Sequence, residues 1–568
     1  MAEVPLPIAH GGPRPPGRTV PTPDERAEFA WGFFPEEREG TDAFRWMSTR
    51  GHLGCASRPV ERFVELGVFC EFGDLSQELE ARAGERCETL PLVDGWRLMS
   101  LRIPAGAEGV TLTANKPYPK SYYPSDSRTL SIRVRGPVVH NDPFRYESVW
   151  RQWSNAVLNA REMLDGKTIL ESTPPSLGID MHGACNVKPP CVYCEWNAAK
   201  DQEGVNVDAP FTRKTLDEYG AFFGNATQLV NCSIGEPFMM KNLDGLFDVF
   251  GDERKTLEMT TNGQILTDRN IEKLLGRDIH LYISLDAATP ETYARLRNDT
   301  FEKILHNIRR LVEAKGGHGN LPKVFLVFMP MRANVHELDA FIELSAELGV
   351  DQMILRPLND TPGNGLEWER NGYRFDYEKE LLPFEELVHV SGRAAELARH
   401  HGVDLHDQLD FGGSLEARFR DDFAAGRADV SQPAEEHEAS HAMEPKPSLG
   451  FDRWPVCSEP WKDLYILRRG VRPCCYGGAP IDDMDGYGEA WNSPLLQAIR
   501  EKLVAGGFHD YCVKSPACPI VRKSEHVNEL PLRQEGFLVV WRLWQKLNAL
   551  TDGVPRAILR KLRFLRRG

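Results

Sequence analysis

Between residues 177 and 355 six short apolar runs recur with helical stretches between them, and no other feature restricts the fold of this chain more. The runs are Leu177 to Met181, Leu229 to Ile234, Leu257 to Thr261, His280 to Leu285, Val324 to Met329 and Gln352 to Leu355, while intervening stretches such as Phe301 to Ala314 carry helical periodicity. Strand and helix in strict alternation give a parallel sheet, because each helix returns the chain to the end where the previous strand began. Six units predict an α/β fold, a partial (β/α)6 TIM-like barrel, with its chemistry at the C-terminal ends of the strands.

At 568 residues the chain exceeds what one core can organise, and shifts in composition divide the rest. Residues 1–35, rich in Pro and Gly, read as a disordered tail. Residues 40–137 hold alternating runs such as Trp96 to Ile103, Gly109 to Thr113 and Arg128 to Val134, and predict an N-terminal all-β sandwich. A helical linker occupies 140–174, with a helix expected over Tyr146 to Leu164, and the barrel fills 175–360. Residues 361–450 form a helical and loop connection with an acidic stretch, and a small cysteine-bearing domain spans 451–525. Residues 526–568 form a C-terminal helix in which Trp541, Trp544, Leu547 and Leu550 accompany Arg560, Lys561, Arg563, Arg566 and Arg567. That helix can dock on its own protein or make peripheral contact with an anionic membrane.

A formal net charge of -15 speaks against nucleic acid as a partner, since phosphate binding requires basic surface. The first thirty residues lack a secretory signal, and no apolar run approaches the roughly 20 residues needed to span a bilayer. A cytoplasmic protein is expected, membrane-associated if the last helix binds lipid. Twelve cysteines in a reducing compartment point to metal or redox work in preference to disulfides.

Three of them, Cys185, Cys191 and Cys194, stand in the run Gly183-Ala-Cys-Asn-Val-Lys-Pro-Pro-Cys-Val-Tyr-Cys-Glu-Trp196, directly after the first barrel strand. A four-iron cluster held by three thiolates keeps one iron open for a ligand; three thiols also suit a structural zinc site. Downstream, Ser233-Ile-Gly-Glu-Pro237 ends the second strand, Thr260-Thr-Asn-Gly263 the third and Ser284-Leu-Asp286 the fourth, with Arg297 following.

In order and spacing these motifs resemble the radical S-adenosylmethionine (radical SAM) superfamily. Tyr193 fills the aromatic place before the last cysteine, although the first gap is C-x5-C where the commonest family loop has C-x3-C. The resemblance implies a catalytic [4Fe-4S] cluster on Cys185, Cys191 and Cys194. It implies S-adenosyl-L-methionine contacts at Tyr193, Ser233, Gly235, Glu236, Asn262, Ser284, Asp286 and Arg297, Ile234 replacing the first glycine of the family's GGEP motif. It further implies a reducing partner such as flavodoxin or ferredoxin, and reductive cleavage of the cofactor to a 5'-deoxyadenosyl radical that abstracts hydrogen from substrate.

Cys457, Cys474, Cys475, Cys512 and Cys518 resemble the cysteine layout of the SPASM and twitch extensions of that superfamily, with a hairpin strand over Leu464 to Arg468 and a helix over Ser493 to Val504. The resemblance implies an auxiliary [4Fe-4S] cluster on Cys457, Cys474, Cys512 and Cys518; a zinc-stapled domain is the alternative. Cys475 is then spare, and it and Cys232 are candidate hydrogen donors to a substrate radical, although Cys232 reads first as a core residue of the second strand. The strand-rich N-terminal region resembles the β modules of sugar-transferring enzymes, so the expected substrate is a carbohydrate or sugar-bearing molecule undergoing oxidation, dehydration or epimerisation. The alternatives are a SPASM-type peptide or protein maturase and a non-enzymatic metal-cluster scaffold.

Overall fold

The computed structural model describes residues 25–521 apart from 40–41, 73–74, 120–122, 124–125, 195–218, 234, 242, 253, 359–366, 371, 410–456, 468–469, 475–479, 482–486, 515–517 and 519–520. Nine strands form the N-terminal unit: β1 (Glu25–Arg26), β2 (Glu28–Glu39), β3 (Asp42–Gly54), β4 (Arg62–Cys70), β5 (Glu78–Ala83), β6 (Arg86–Pro91), β7 (Gly95–Ile103), β8 (Gly109–Ala114) and β9 (Ile132–His140). They join in the order β6-β5-β8-β3-β9-β4-β7, with β2 beside β3 and β1 beside β9.

The expected sandwich is therefore one continuous antiparallel sheet. Long strands cause this by changing neighbours along their length: β3 pairs with β9 at Arg45 to Met47 and with β8 from Arg50 to Gly54. The tail expected over residues 1–35 also ends earlier, because β1 and β2 cover residues 25–26 and 28–39. Register irregularities between Phe29 and Glu36 break the two-residue alternation there, which hides the strand from a periodicity reading.

The helix Pro143–Leu164 leads into the second unit; Asp142 caps it by accepting from the Phe144 N–H at 3.0 Å, and Pro143 occupies the first turn. Trp153 and Val157 of this helix enter the core of the N-terminal sheet while Met163 enters that of the barrel, so one helix joins both units.

All six expected barrel strands form: β10 (Ser176–Ile179), β11 (Gln228–Asn231), β12 (Thr256–Thr261), β13 (Ile279–Ser284), β14 (Lys323–Phe328) and β15 (Gln352–Leu355), each parallel to the next. A separate hairpin of β16 (Glu367–Arg370) and β17 (Tyr373–Asp376) precedes three more strands of the barrel sheet. Of these, β18 (Leu405–Asp407) lies parallel to β15, β19 (Asp463–Leu467) lies parallel to β10, and β20 (Gly470–Arg472) turns back on β19. The curled sheet thus has eight parallel strands where six were expected. The C-terminal cysteine-bearing segment contributes its hairpin to the barrel's own sheet and is not detached from it.

Alternation along β12 and β13 follows from helices covering only one face. Leu257, Met259, Leu281 and Ile283 are fully buried beneath helices such as Leu243–Asp252, Phe301–Lys315 and Leu338–Leu348. The residues between them, Glu258, Thr260, His280 and Tyr282, face the barrel interior with Phe325, Val327 and Ile354.

Three large residues fix the C-terminal segment to the start of the barrel. Trp461 and Trp491 are buried and donate through their indole N–H groups to the carbonyls of Lys167 at 2.9 Å and Ser172 at 2.8 Å. Arg500 of the helix Pro494–Val504 is fully buried, donates to the Pro460 and Thr168 carbonyls at 2.9 and 2.8 Å, and stacks on Trp491. Ser493 caps that helix, so the expected boundary at 493 is observed. Cys475, the acidic stretch before 450 and the basic C-terminal helix lie outside the described residues. Among the described residues no helix is long and apolar enough to cross a membrane.

Candidate active site

The cysteine loop leaves β10 at its C-terminal end and is held there by the ends of the next strands. The Ser233 hydroxyl, just past β11, accepts from the N–H groups of Met181 at 2.6 Å and His182 at 2.9 Å. Ser233 therefore anchors the start of the loop, a backbone task that differs from the cofactor contact expected of it. Gly235 lies so close to the loop that a Cβ there would sit 2.4 Å from the Ala184 oxygen and 2.6 Å from the His182 oxygen. Only glycine fits that approach. The Glu236 N–H donates to the Ala184 carbonyl at 2.7 Å and closes the contact.

The Glu236 carboxylate is almost fully buried and accepts from the Thr261 hydroxyl at 2.8 Å, the Asn262 N–H at 2.9 Å and the Phe238 N–H at 3.2 Å. Burial outweighs these donors and raises its pKa to about 7. Asn262 turns the end of β12 toward the loop: its amide donates to Asn186 at 2.9 Å and lies 3.8 Å from the Cys185 sulfur. Beside it, Gln264 accepts from Asn186 at 3.2 Å while its own amide nitrogen is buried without an acceptor. Neither Asn186 nor Gln264 was singled out from sequence, although Gln264 directly follows the Thr-Asn-Gly turn.

Asp286 departs from expectation. Its backbone has φ of 58°, a left-handed conformation that turns the carboxylate back into the protein, where it is fully buried. It accepts from the Tyr193 hydroxyl and the Arg297 guanidinium, both at 2.6 Å, and from the Met329 N–H at 2.9 Å. Arg297 in turn stacks over the Tyr193 ring at 5.4 Å. These three residues, each expected to touch cofactor, are joined to one another and lock the aromatic residue of the loop onto the ends of β13 and β14. Ser284 ends β13 on the interior-facing side, where it was expected.

Among the loop thiols, Cys191 is buried and Cys185 and Cys194 are half-buried, none in a disulfide. Burial raises the Cys185 pKa, a hydrogen bond from the Val187 backbone opposes it, and Cys191 and Glu236 add negative charge nearby. The Cys194 N–H donates to the Cys191 carbonyl at 3.2 Å, a tight turn presenting both side chains. No three His, Cys, Asp or Glu groups among the described residues converge closely enough for a single ion. A four-iron cluster spaces its thiolates more widely, and a three-thiol loop with the orphaned Gln264 amide beside it fits such a group.

Cys232 is not the strand-core residue that was expected as one reading. It lies one residue beyond β11, donates its thiol to the Val230 carbonyl at 3.5 Å and faces the interior near Asp180, Asp463 and Glu258. Burial, then these carboxylates, push its pKa to about 12. Deeper in the interior Glu258 accepts from the Gln228 amide at 2.5 Å and from the Tyr282 hydroxyl, with His280 3.8 Å away and Arg356 over the Tyr282 ring. Sequence reasoning passed over this polar group, although Glu258 and Tyr282 alternate with buried leucine, methionine and isoleucine and so had to face inward.

Near the C-terminus, burial raises the Cys457 pKa, with Cys518 and Cys474 close enough to raise it further; Cys518 acts likewise on Cys512. The structure thus brings all four expected auxiliary ligands into one neighbourhood.

The model of the radical SAM superfamily matches residues 179–344, the stretch from β10 through the helix after β14. A probable GTP 3',8-cyclase of Saccharolobus islandicus (strain M.14.25 / Kamchatka #1) is 29% identical over 193 residues, 32% of this chain and 56% of that protein. One from Methanococcus aeolicus is 25% identical over 190 residues, 32% of this chain and 58% of that protein. The chain spans a little over half the length of these curated relatives. Among solved structures, Streptococcus suis SuiB bound to precursor peptide SuiA aligns at 14% identity and a TM-score of 0.42, over 67% of this chain and 76% of that one. The matched stretch contains the cysteine loop, Glu236, Asn262, Asp286 and Arg297, so residues 179–344 are a radical SAM domain.

Proposed function

We propose that this chain cleaves S-adenosyl-L-methionine reductively at a [4Fe-4S] cluster held by Cys185, Cys191 and Cys194, and directs the resulting hydrogen abstraction at a sugar-bearing substrate in the barrel interior. The observation that carries the reading is the loop itself: three thiols at the C-terminal mouth of the barrel, held by Ser233, Gly235 and Asn262 from the two following strands. Such a cluster supplies one electron to a sulfonium bound at its open iron. The protein's own share is positioning and exclusion. Glu236 places a buried carboxylate beside the loop, a group suited to an amino group, and Asp286 with Arg297 fixes the position of Tyr193 in the loop. A reducing protein such as flavodoxin or ferredoxin would deliver the electron.

The polar interior supports a hydroxyl-rich substrate: Glu258 and Tyr282 offer hydroxyl groups an acceptor and a donor where an apolar substrate would meet apolar walls. The curated relatives are named for GTP, itself a ribose-bearing molecule. Cys232 opens on the same interior and is a candidate hydrogen donor to a substrate radical, in the protonated state that its raised pKa preserves. Cys457, Cys474, Cys512 and Cys518 are the ligands proposed for an auxiliary [4Fe-4S] cluster.

The test is anaerobic reconstitution with iron and sulfide, iron counting and a 5'-deoxyadenosine assay on wild type and the Cys185, Cys191, Cys194 triple alanine variant. About eight irons falling to about four, with loss of 5'-deoxyadenosine, is the expected result. Cofactor cleavage indifferent to the triple change, or zinc in place of iron, would overturn the proposal and leave a metal-bearing scaffold. Deuterium transfer from a sugar-bearing substrate into 5'-deoxyadenosine tests the substrate class; transfer from a peptide in its place would identify a maturase.

A further inference from the structure

Alternation along β15 points Ile354 into the barrel, where it packs on Phe325 and Val327, and Arg356 follows in the same phase just past the strand. Its N–H still donates to the Phe328 carbonyl at the end of β14 at 3.0 Å, so the backbone stays in the sheet. The guanidinium keeps to the interior face, 5.7 Å from the centre of the Tyr282 ring. Gln408 stands beside it, one residue past β18: its N–H donates to the Leu355 carbonyl at 2.8 Å, and its side-chain oxygen accepts from Arg356 Nε at 3.0 Å. His406, paired with Ile354 in the register of β15 and β18, projects to the same face.

That guanidinium carries charge without a counter-charge. Among the described residues no carboxylate lies at ion-pair distance from Arg356, its two terminal nitrogens meet no acceptor, and neither the Gln408 amide nor the His406 ring donates a hydrogen bond. The carboxylates around it are occupied elsewhere. Asp404 accepts from the Gln352 amide at 2.8 Å. Asp407, one residue out of phase with His406, lies on the helix-covered face and accepts from the Ser391 hydroxyl and from the Leu409 N–H at 2.9 Å. Glu258, which accepts from Gln228 and Tyr282, is three strands away on β12, roughly 14 Å along the sheet. Asp180 and Asp463 are farther still, at β10 and β19.

We propose that Arg356, Gln408 and His406 form the receptor for a phosphate group on the substrate, seated where β15 and β18 end at the mouth of the barrel. With Nε engaged by Gln408, the guanidinium offers its end-on pair of N–H groups, the fork that takes two oxygens of one anion. A carboxylate would be used up by that fork. A phosphate brings a third oxygen to the Gln408 amide and the His406 ring, so its tetrahedral shape employs donors from both strands. The sugar then lies along Tyr282 toward Glu258, whose carboxylate accepts from a hydroxyl group. This inference rests on the reading above that the interior takes a sugar-bearing substrate, and narrows that substrate to a phosphorylated one.

The experiment is calorimetric titration of the full chain, before and after anaerobic reconstitution, with glucose 6-phosphate, inorganic phosphate, glucuronate and glucose. The expected result is that glucose 6-phosphate binds in both states, with glucuronate and glucose each roughly tenfold weaker or worse, as loss of hydrogen bonds to a charged group requires. Affinity for glucose 6-phosphate should fall roughly tenfold in Arg356→Gln and about threefold in Gln408→Leu, and stay within about twofold in Arg309→Gln. Arg309 is exposed on the helix Phe301–Lys315 and pairs with Glu347 at 2.9 Å, so that change removes the same charge away from the barrel mouth. If melting shows Arg356→Gln unfolded, Arg356→Lys is read in its place; it keeps the charge, loses the fork and should bind about threefold more weakly. Absence of binding by either phosphate, glucuronate binding as tightly as glucose 6-phosphate, or equal weakening by Arg309→Gln would each overturn the proposal. Inorganic phosphate binding as tightly as glucose 6-phosphate, with the same dependence on Arg356, would support the phosphate receptor and overturn the sugar reading alone.

Discussion

Replacing Gly235 by alanine tests the close approach between the cysteine loop and the end of β11. The added carbon would meet the Ala184 oxygen at 2.4 Å, the His182 oxygen at 2.6 Å and the Gly183 carbonyl carbon at 2.7 Å, all backbone atoms of the loop. A flexible side chain could swing away from such a contact; a peptide carbonyl cannot without moving its neighbours. Overpacking of this kind costs about 1–3 kcal/mol, and three backbone contacts at once place Gly235→Ala at about 3 kcal/mol. The loop yields before the barrel does, since the helix-covered core lies on the other face of the sheet. Gly235→Ala is therefore expected to remain folded with a lowered melting temperature, and to lose about four irons and 5'-deoxyadenosine formation after reconstitution. Gly178→Ala is the control: its added carbon would lie 2.2 Å from Tyr465 Cδ1, a clash with a side chain away from the loop. It should lose stability yet retain the catalytic iron. Gly235→Ala with wild-type iron content and cofactor cleavage would refute the reasoning, because the loop would then not need that approach.

Three further outcomes are expected. Asp286→Asn keeps a residue that accepts the left-handed backbone but strands the buried Arg297 charge, so chemical denaturation should show a loss of about 3–5 kcal/mol. Burial alone would raise the Glu65 pKa, but Arg145 and Arg254 more than offset it and hold the carboxylate at about 2, below its ordinary 4.5. Its contribution is therefore present above the unfolded value and lost as pH falls through the folded one. The stability difference between wild type and Glu65→Gln should be about 3 kcal/mol at pH 6 and about 1 kcal/mol at pH 3. Arg500→Met keeps most of the buried volume but leaves the Pro460 and Thr168 carbonyls without their donor, and urea unfolding should show about 2–4 kcal/mol of destabilisation.

The barrel strands were legible because their apolar runs are bounded by turns and each crossover is local, so neighbours in sequence are neighbours in the sheet. The strand β18 was not, and β19, though expected as a hairpin strand over Leu464 to Arg468, was not read as part of the barrel sheet, since so short a run acquires its place beside β10 only through tertiary pairing. In the site, residue identity was readable and residue employment was not. Ser-Leu-Asp marks the end of β13, yet the positive φ at Asp286 decides that its carboxylate meets Tyr193 and Arg297 inside the protein. Glu258 and Tyr282 belong to no motif; only strand alternation singles them out, and that becomes informative once the helix-covered face is known.

The parallel pairing of β19 with β10 bears on the order of events during synthesis. Ser176 to Ile179, which lead into the cysteine loop, have β11 on one side from early in the chain, but their other neighbour, Asp463 to Ile466, leaves the ribosome only after the whole barrel has been made. Contacts of such long sequence separation form late in folding. The strand carrying the cysteine loop is thus an open edge of the sheet until the C-terminal hairpin has been made and docks.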